Sequence, residues 1–406
     1  MAAMCRSLLS IVPVCRVACL SLNIGGCGCQ GGGLVVGKDG GTTTRRGTMA
    51  RAKRATLKSI ASDLGVTHTS VSNAYNNPAK VSAALRDRIL AHAAEVHYEG
   101  PNPAARSLRT GRCGAIGVLF NDQLSYAFTD AHDIAFLRGI SSVCEEEGAN
   151  IVLIPLKDKH PERLDNLTAI VDGYILNAPY KSHPTIRKAL ARGLPTVVVD
   201  FDAPQLPSVL TNDREMMRSV VSHLIDLGHR NIAIVTFPWS QDHGELFALD
   251  RDVSDENHVV HERVLGCRDA FDAAGVPAKG ILVCETPNDE EGGARAVDRL
   301  LRRQHDLTAM VCFSDRLAYG VMARCDALGL SVPRRMSVTG YDGIDPPGRP
   351  REGLRLTTVR QNAFEKGRRA AEALLREPGK AGSPIRIAAE FVGGDSSAAA
   401  WELETE

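Results

Sequence analysis

Apolar positions in this chain follow two rhythms. In the first, between Thr56 and Asn76, Leu57, Ile60, Ala61 and Leu64 recur at helical spacing and make one apolar stripe. Thr56 stands ahead of them as a hydroxyl cap, and Gly65 follows where a helix end favours a left-handed residue. Thr67 caps a second helix that buries Val71 and Ala74 and turns His68, Thr69, Ser72, Asn73 and Asn76 outward. None of these outward residues is acidic, and each can hydrogen-bond a base edge or a phosphate. Two short helices with such a face are the build of a helix-turn-helix whose second helix enters the DNA major groove; the plainer alternative is a helical hairpin with a polar side. Ser82 then caps a third helix through about Val96, burying Leu85, Ile89, Leu90 and Ala93. Gly100-Pro101-Asn102-Pro103 stops any helix, and residues 104–112 are short, basic and helix-capable around one apolar residue, Leu108.

From Ala115 the rhythm becomes strand and helix in alternation. Short runs rich in Val and Ile occur at Ala115–Leu119, Ile151–Pro155, Gly173–Leu176, Thr196–Val199, Ile232–Val235, Ile281–Cys284, Ala309–Phe313 and Ser337–Gly340. Helical patterns lie between them, among them Ile134–Glu147, Pro184–Arg192, Arg214–Leu227, Val264–Ala274, Gly292–Arg303 and Leu317–Leu328. Runs this short and apolar, alternating with helices, predict parallel sheets covered on both faces. About ten strands suggest two lobes, with a ligand cleft at the carboxyl ends of the strands. The expected class is therefore α/β behind a small helical head.

Charge sharpens the division. Residues 49–112 hold ten Lys/Arg against four Asp/Glu, whereas residues 113–406 hold 33 against 43. A basic head on an acidic body suits a polyanion-binding module joined to a sensing or assembly module. Five of the eleven cysteines lie in the first 29 residues; the others are scattered through apolar runs and read as buried reduced thiols rather than a disulfide framework or zinc site. No apolar run is long enough to span a membrane. Residues 1–48 look foreign to the rest and are read as a disordered or wrongly translated leader. Their G-x-G-x-x-G at Gly26, Gly28 and Gly31 has neither a helix-forming sequel nor an acid at the right distance, so it is no dinucleotide fingerprint. Met49, opening the basic arm Met49-Ala50-Arg51-Ala52-Lys53-Arg54, is expected to be the functional start.

The motifs in order resemble the lactose-repressor/galactose-repressor (LacI/GalR) family of bacterial transcription regulators. In the head these are the helix-turn-helix, Asn76 followed by Val81-Ser82, and Asn102-Pro103-Ala104-Ala105-Arg106-Ser107-Leu108. In the body they are Leu227-Gly228-His229-Arg230-Asn231-Ile232, Arg263 and Gly266 before Phe271, Ser314-Asp315, Gly340-Tyr341-Asp342 and Leu356-Thr357-Thr358-Val359-Arg360-Gln361. The resemblance covers residues 55–397. It implies a two-lobed type I periplasmic-binding-protein-like body, a homodimer or tetramer, and a pseudo-palindromic operator in double-stranded DNA. It also implies a linker that folds as a hinge helix on DNA, with Leu108 wedged into the minor groove, and a small effector that controls repression. A cytoplasmic, nucleoid-associated protein is the corresponding expectation. Departures include Asn73 where many members carry Arg, the long acidic loop Pro238–Val260, Asn362 in place of Pro, and Gly393-Gly394 near the end.

The expected domains are 49–100 for DNA binding, 101–112 for the hinge, and 113–406 for the effector-binding and dimerisation body. Its lobes are drawn at 113–207 plus 343–375 and at 208–342 plus 385–406. His68, Thr69 and Asn73 are the expected base readers; Ser70, Ser72 and Asn76 are phosphate or framework contacts. Asp315, past the strand Ala309–Phe313, and Arg263, expected to open a helix at the same crevice, are the candidate effector contacts. A carboxylate and a guanidinium suit a polyhydroxyl ligand, a sugar first and a nucleoside second. Tyr126 and Phe128 either stack on a flat ligand face or pack the lobe. His258, His261 and Glu262 lack a persuasive metal-binding partner and read as a solvated face. With no Gly-x-Ser-x-Gly, Walker loop or paired catalytic carboxylates, neither catalysis nor a cofactor is expected. A transporter's solute receptor or an α/β enzyme would use the body alone, and the head argues against both.

Overall fold

The structure, a computed structural model, describes residues 55–101, 107, 111–120, 123–156, 170–239, 246–345, 354–380 and 382–400. The expected leader, the arm at Met49 and the wedge Leu108 lie outside them. The head has three helices: α1 (Leu57–Asp63), α2 (His68–Asn76) and α3 (Ala83–Glu95). Thr56 and Ser59 make a reciprocal capping box on α1, Thr67 Oγ1 accepts from Ser70 N at 3.1 Å on α2, and Ser82 caps α3. Gly65 takes a φ of 65°, the left-handed conformation expected of it. Ile60, Ala61, Val71, Ala74, Ile89 and Ala93 form the core of the bundle. Polar ties close it from outside: Arg88 Nη2 donates to Leu64 O at 3.0 Å, and His92 Nε2 lies 3.2 Å from Asp63 Oδ2.

The body holds two parallel sheets. The first contains β1 (Ala115–Phe120), β2 (Asn150–Pro155), β3 (Tyr174–Asn177), β4 (Thr196–Val199), β5 (Ser208–Thr211) and β12 (Ile385–Ile387), in the order β12-β5-β4-β3-β1-β2. The second contains β6 (Ile232–Thr236), β7 (Leu246–Ala248), β8 (Leu282–Glu285), β9 (Ala309–Cys312) and β10 (Ser337–Thr339), in the order β10-β9-β6-β8-β7 with β7 antiparallel. β11 (Thr358–Arg360) and β13 (Glu390–Val392) make a separate antiparallel pair. The body's helices are α4 (Leu124–Ala127), α5 (Ala131–Glu147), α6 (Pro184–Ala191), α7 (Asp213–Asp226), α8 (His258–Ala273), α9 (Glu290–Arg303), α10 (Asp315–Ala327) and α11 (Ala363–Leu375). α5 packs on α11, α7 on α8, and α9 on α10. A Cβ at Gly139 of α5 would sit 2.0 Å from Phe364 O, and one at Gly367 of α11 would sit 2.0 Å from Phe136 O. Only paired glycines let these two helices cross so closely.

The lobe boundaries differ from those expected. Ser208–Thr211 and Ile385–Ile387 belong to the first sheet, where Val198 registers with Ser208 and Ile385 with Val209. β5 covers the edge of β4, and β12 in turn covers the edge of β5, which satisfies their backbone groups. The chain therefore first passes between lobes at 211–213, and returns at 360–363 and 387–390. The helix carrying Arg263 also starts earlier than expected. Asn257 caps it, accepting from Val260 N at 3.2 Å, which places Arg263 in the second turn of α8 rather than at its opening.

Candidate functional site

Two surfaces carry chemistry. On the head, α2 is rigidly capped, and its outward side chains divide into two sets. Ser70 is engaged with Thr67 Oγ1 at 2.9 Å, and Asn76 Nδ2 donates to Ser72 O at 3.0 Å. His68 and Thr69 are exposed and Asn73 half-buried, and the side chains of all three have no hydrogen-bond partner among the described residues. Thr69 and Asn73 lie one turn apart. The three expected base readers are thus the ones left open, and the expected framework residues are tied into the helix.

The second surface is the cleft between the lobes. Arg263 is almost wholly buried. Its Nε donates to Asp213 Oδ1 at 2.8 Å, its Nη1 donates to Phe313 O, and its guanidinium lies 3.6 Å from the centre of the Tyr341 ring. Nη2 has no hydrogen-bond partner among the described residues. Asp213 and Tyr341, with Asp342, hold the guanidinium firmly charged, against the opposing effect of burial.

Asp315 is fully buried at the start of α10, directly after its cap Ser314, and both its oxygens are already used. Thr358 Oγ1 donates to Oδ1 at 2.5 Å and Ile344 N to Oδ2 at 2.7 Å. In this structure a returning strand and a loop satisfy both oxygens of the carboxylate. Burial, and then the charge of Asp342, push the Asp315 carboxyl up to about 7. The structure does not bring Asp315 and Arg263 into contact with each other.

The residue pattern missed three groups. Asp342 accepts from Gln361 Nε2 at 2.8 Å on Oδ1 and has no partner on Oδ2 among the described residues. Its backbone φ is 125°, an unusual value for a residue with a Cβ, and burial pushes its carboxyl up to about 6 against the pull of His132 and Arg263. His132 and Asp133 open α5 on the opposite lobe, with 3.7 Å between Nδ1 and Oδ1. Burial alone would lower the imidazole pKa, but the carboxylates of Asp133 and Asp342 outweigh it. His132 Nε2, Tyr341 Oη and Gln361 Oε1 are buried without a partner. Unpaired buried polar atoms are rare, and Arg316 Nη1 and Thr339 Oγ1 are two more among the described residues. Asp342 was visible as part of Gly340-Tyr341-Asp342, but nothing local distinguished it from a turn residue. His132 carried no sequence signal.

Tyr126 joins the two lobes at the rim of the cleft. Its hydroxyl donates to Asp130 Oδ2 at 3.1 Å and meets Asn288 of the other lobe, whose Nδ2 donates to it at 3.0 Å. Arg316, paired with Glu290 at 2.8 Å, lies 5.0 Å from the Tyr126 ring. Phe128 is 60% exposed, so its ring is not packed into the lobe. A second rim contact joins Tyr180 Oη to Pro238 O at 3.0 Å and Ser182 N to Glu256 Oε2 at 2.9 Å, using the acidic loop. His261, on that side, bonds Val253 O at 3.2 Å.

A family profile described as a periplasmic binding protein-like domain matches residues 221–397. An HTH-type transcriptional regulator from Mycolicibacterium smegmatis is 37% identical over 347 residues, covering 82% of this chain and 93% of that protein. Among solved structures, a LacI-family regulator from Corynebacterium glutamicum is 29% identical with a TM-score of 0.59, over 85% of this chain and 98% of that one. A LacI-family regulator from Enterococcus faecium, with ribose bound, is 26% identical with a TM-score of 0.57, over 71% of this chain and all of that one.

Proposed function

Because this chain belongs to the LacI family of HTH-type transcriptional regulators, we propose that its head reads an operator through His68, Thr69 and Asn73 and that a polyhydroxyl effector in the cleft sets operator affinity. The single observation carrying this reading is the division of α2, whose base-facing residues are free while their neighbours are tied down. The expected domains, a head at 49–100, a linker at 101–112 and a body from 113, follow the same logic. Chemically the chain is a homodimeric repressor of double-stranded operator DNA rather than a catalyst. Asp342 and Arg263 offer the effector an acceptor and a donor from one wall, and His132 and Asp133 face them from the other. Asp315 serves as the brace beneath. A sugar satisfies such a set through hydroxyls that both donate and accept, and the ribose held by the Enterococcus faecium relative supports that class. Nucleosides come second.

The test is selection of bound fragments from genomic DNA, followed by a thermal-shift screen of sugars and nucleosides. Coupling is reciprocal, so an effector that weakens operator binding must itself bind the DNA complex less well. Enrichment of no common sequence would sink the DNA-reading half of the proposal.

Two further outcomes are expected. Asn prefers adenine and Arg prefers guanine, so Asn73→Arg should move one symmetric operator position from A·T toward G·C, by roughly 1–3 kcal/mol per half-site. Selection from a randomised site checks this, and an unchanged consensus removes Asn73 from the readers. Leu108→Ala should lower specific affinity and DNA bending while leaving non-specific binding nearly unchanged, because the latter depends on phosphate charge. Unaltered bending of permuted fragments would count against the wedge.

A further inference from the structure

Lys366 of α11 is among the largest fully buried side chains described, at 1% exposure. Lysine is almost never fully buried unless paired. Its Nζ donates to Asp200 Oδ2 at 2.5 Å. The hydroxyl of Thr211 lies 3.2 Å from Asp200 Oδ1 and 2.5 Å from Asp213 Oδ2, sharing its one proton between two carboxylates. Asp213 Oδ1 then accepts from Arg263 Nε at 2.8 Å. All five residues are buried. The chain reads cation, anion, hydroxyl, anion, cation, and its charges cancel. It begins on α11 and at the end of β4 in the first lobe, passes through β5, and ends on α7 and α8 in the second, following the crossover at 211–213.

We propose that Lys366, with Asp200 and Thr211, is a positioning group for Arg263, fixing from the opposite lobe the orientation of the guanidinium that faces the cleft. Arg263 depends on Asp213 for its Nε bond. Asp213 sits one hydroxyl away from a second carboxylate, and this arrangement holds only while each carboxylate has its own cation. Without Lys366, Asp200 is left charged and unmatched beside Asp213, in surroundings where Coulomb repulsion is weakly screened. The two carboxylates separate, Thr211 can bond only one of them, and the Nε support of Arg263 weakens, leaving Phe313 O and the Tyr341 ring to hold it. Arg263 and Lys366 together keep the Asp213 carboxyl below its usual range despite burial, consistent with its place between the two cations. The orientation of the guanidinium and the approach of the lobes at this crossover are then one variable. The functional consequence rests on the effector reading above; the positioning itself does not.

The test of the positioning itself therefore uses no effector. In the full chain labelled with ¹⁵N-arginine, the Arg263 Nε–H resonance is identified by its loss in Arg263→Lys, and its solvent exchange is measured. Lys366→Met is expected to shift that resonance and speed its exchange at least tenfold. Lys366→Met combined with Asp200→Asn should bring it back, because the unmatched charge is gone. Thr211→Val, which alters no charge and suits a strand, should disturb the resonance similarly, and it decides alone if Lys366→Met does not fold. The control is Thr196→Val, a buried threonine bonded to Leu194 O and outside the chain. The proposal is overturned if Lys366→Met and Thr211→Val leave the resonance as in the wild type, or if Thr196→Val moves it equally. If these variants move the resonance while Arg263→Lys still responds to an effector like the wild type, the effector reading fails and the positioning stands.

Discussion

Arg263→Met is expected to lower the unfolding free energy by about 3–5 kcal/mol, the usual cost of removing one partner from a buried ion pair. The cost does not lie in the lost attraction alone. Asp213 remains in a site from which water is excluded, with one oxygen stripped of its donor. In the wild type, burial raises the Asp213 pKa, but Arg263 and then Lys366 outweigh it and hold the carboxyl below its ordinary value. That depressed pKa contributes stability above the unfolded-state value near 3.9 and loses it as pH falls through the folded-state value. In the variant the main opposing charge is gone, the Asp213 pKa rises, and protonation relieves the strain. The deficit should therefore be largest near pH 7.5 and shrink toward pH 5, as read by urea denaturation at both. Adding Asp213→Asn to Arg263→Met should recover part of the loss, because the pair is coupled. The exposed pair Arg355–Asp395, 3.1 Å apart, provides the contrast: its removal should leave the denaturation midpoint unmoved. A similarly small effect for Arg263→Met would mean that water reaches Asp213 in solution.

The difference between these two ion pairs also explains what the residue pattern could and could not reveal. The head was legible because its determinants are local: Thr56 with Ser59, Thr67 with Ser70, and the stripe Leu57, Ile60, Ala61, Leu64 all lie within a turn or two. Strands such as Ala115–Phe120, buried throughout, announced themselves as apolar runs. Ser208–Thr211 and Ile385–Ile387 did not, because three or four residues mixed with Ser, Thr or Arg carry no clear period. They became strands because the β4 edge paired with the first of them and the edge of that strand paired with the second. The cleft was legible only in part. A buried charge can find its partner anywhere in the chain, and Lys366 finds Asp200 166 residues away. For the same reason nothing around Asp315 announced its partners, since Thr358 and Ile344 lie 43 and 29 residues further along the chain.

That exchange of roles leads to a paired expectation for Asp315→Asn and Asp342→Asn. At Asp315 an amide oxygen can still accept from Ile344 N while its nitrogen donates to Thr358 Oγ1, but the Thr358 proton then loses its acceptor in a buried site. An unsatisfied buried group costs about 1–3 kcal/mol, and Asp315→Asn should lose that much stability while still responding to the effector. At Asp342 the amide can keep Gln361 on Oδ1 by orienting its oxygen there, so folding should change little. Its nitrogen then replaces the open Oδ2 and offers a donor where a hydroxyl hydrogen needs an acceptor. A hydrogen bond to a charged group contributes about 1.5–3 kcal/mol, so effector affinity should fall roughly 10- to 100-fold. Operator affinity without effector should be unaltered, because neither side chain belongs to the head. The measurements are a denaturation midpoint and an effector titration of operator release for each variant, using the first sugar or nucleoside that the thermal-shift screen returns. If Asp315→Asn abolishes the response and Asp342→Asn leaves it intact, the carboxylate facing the ligand is Asp315, and the bonds from Thr358 and Ile344 must open when the effector enters.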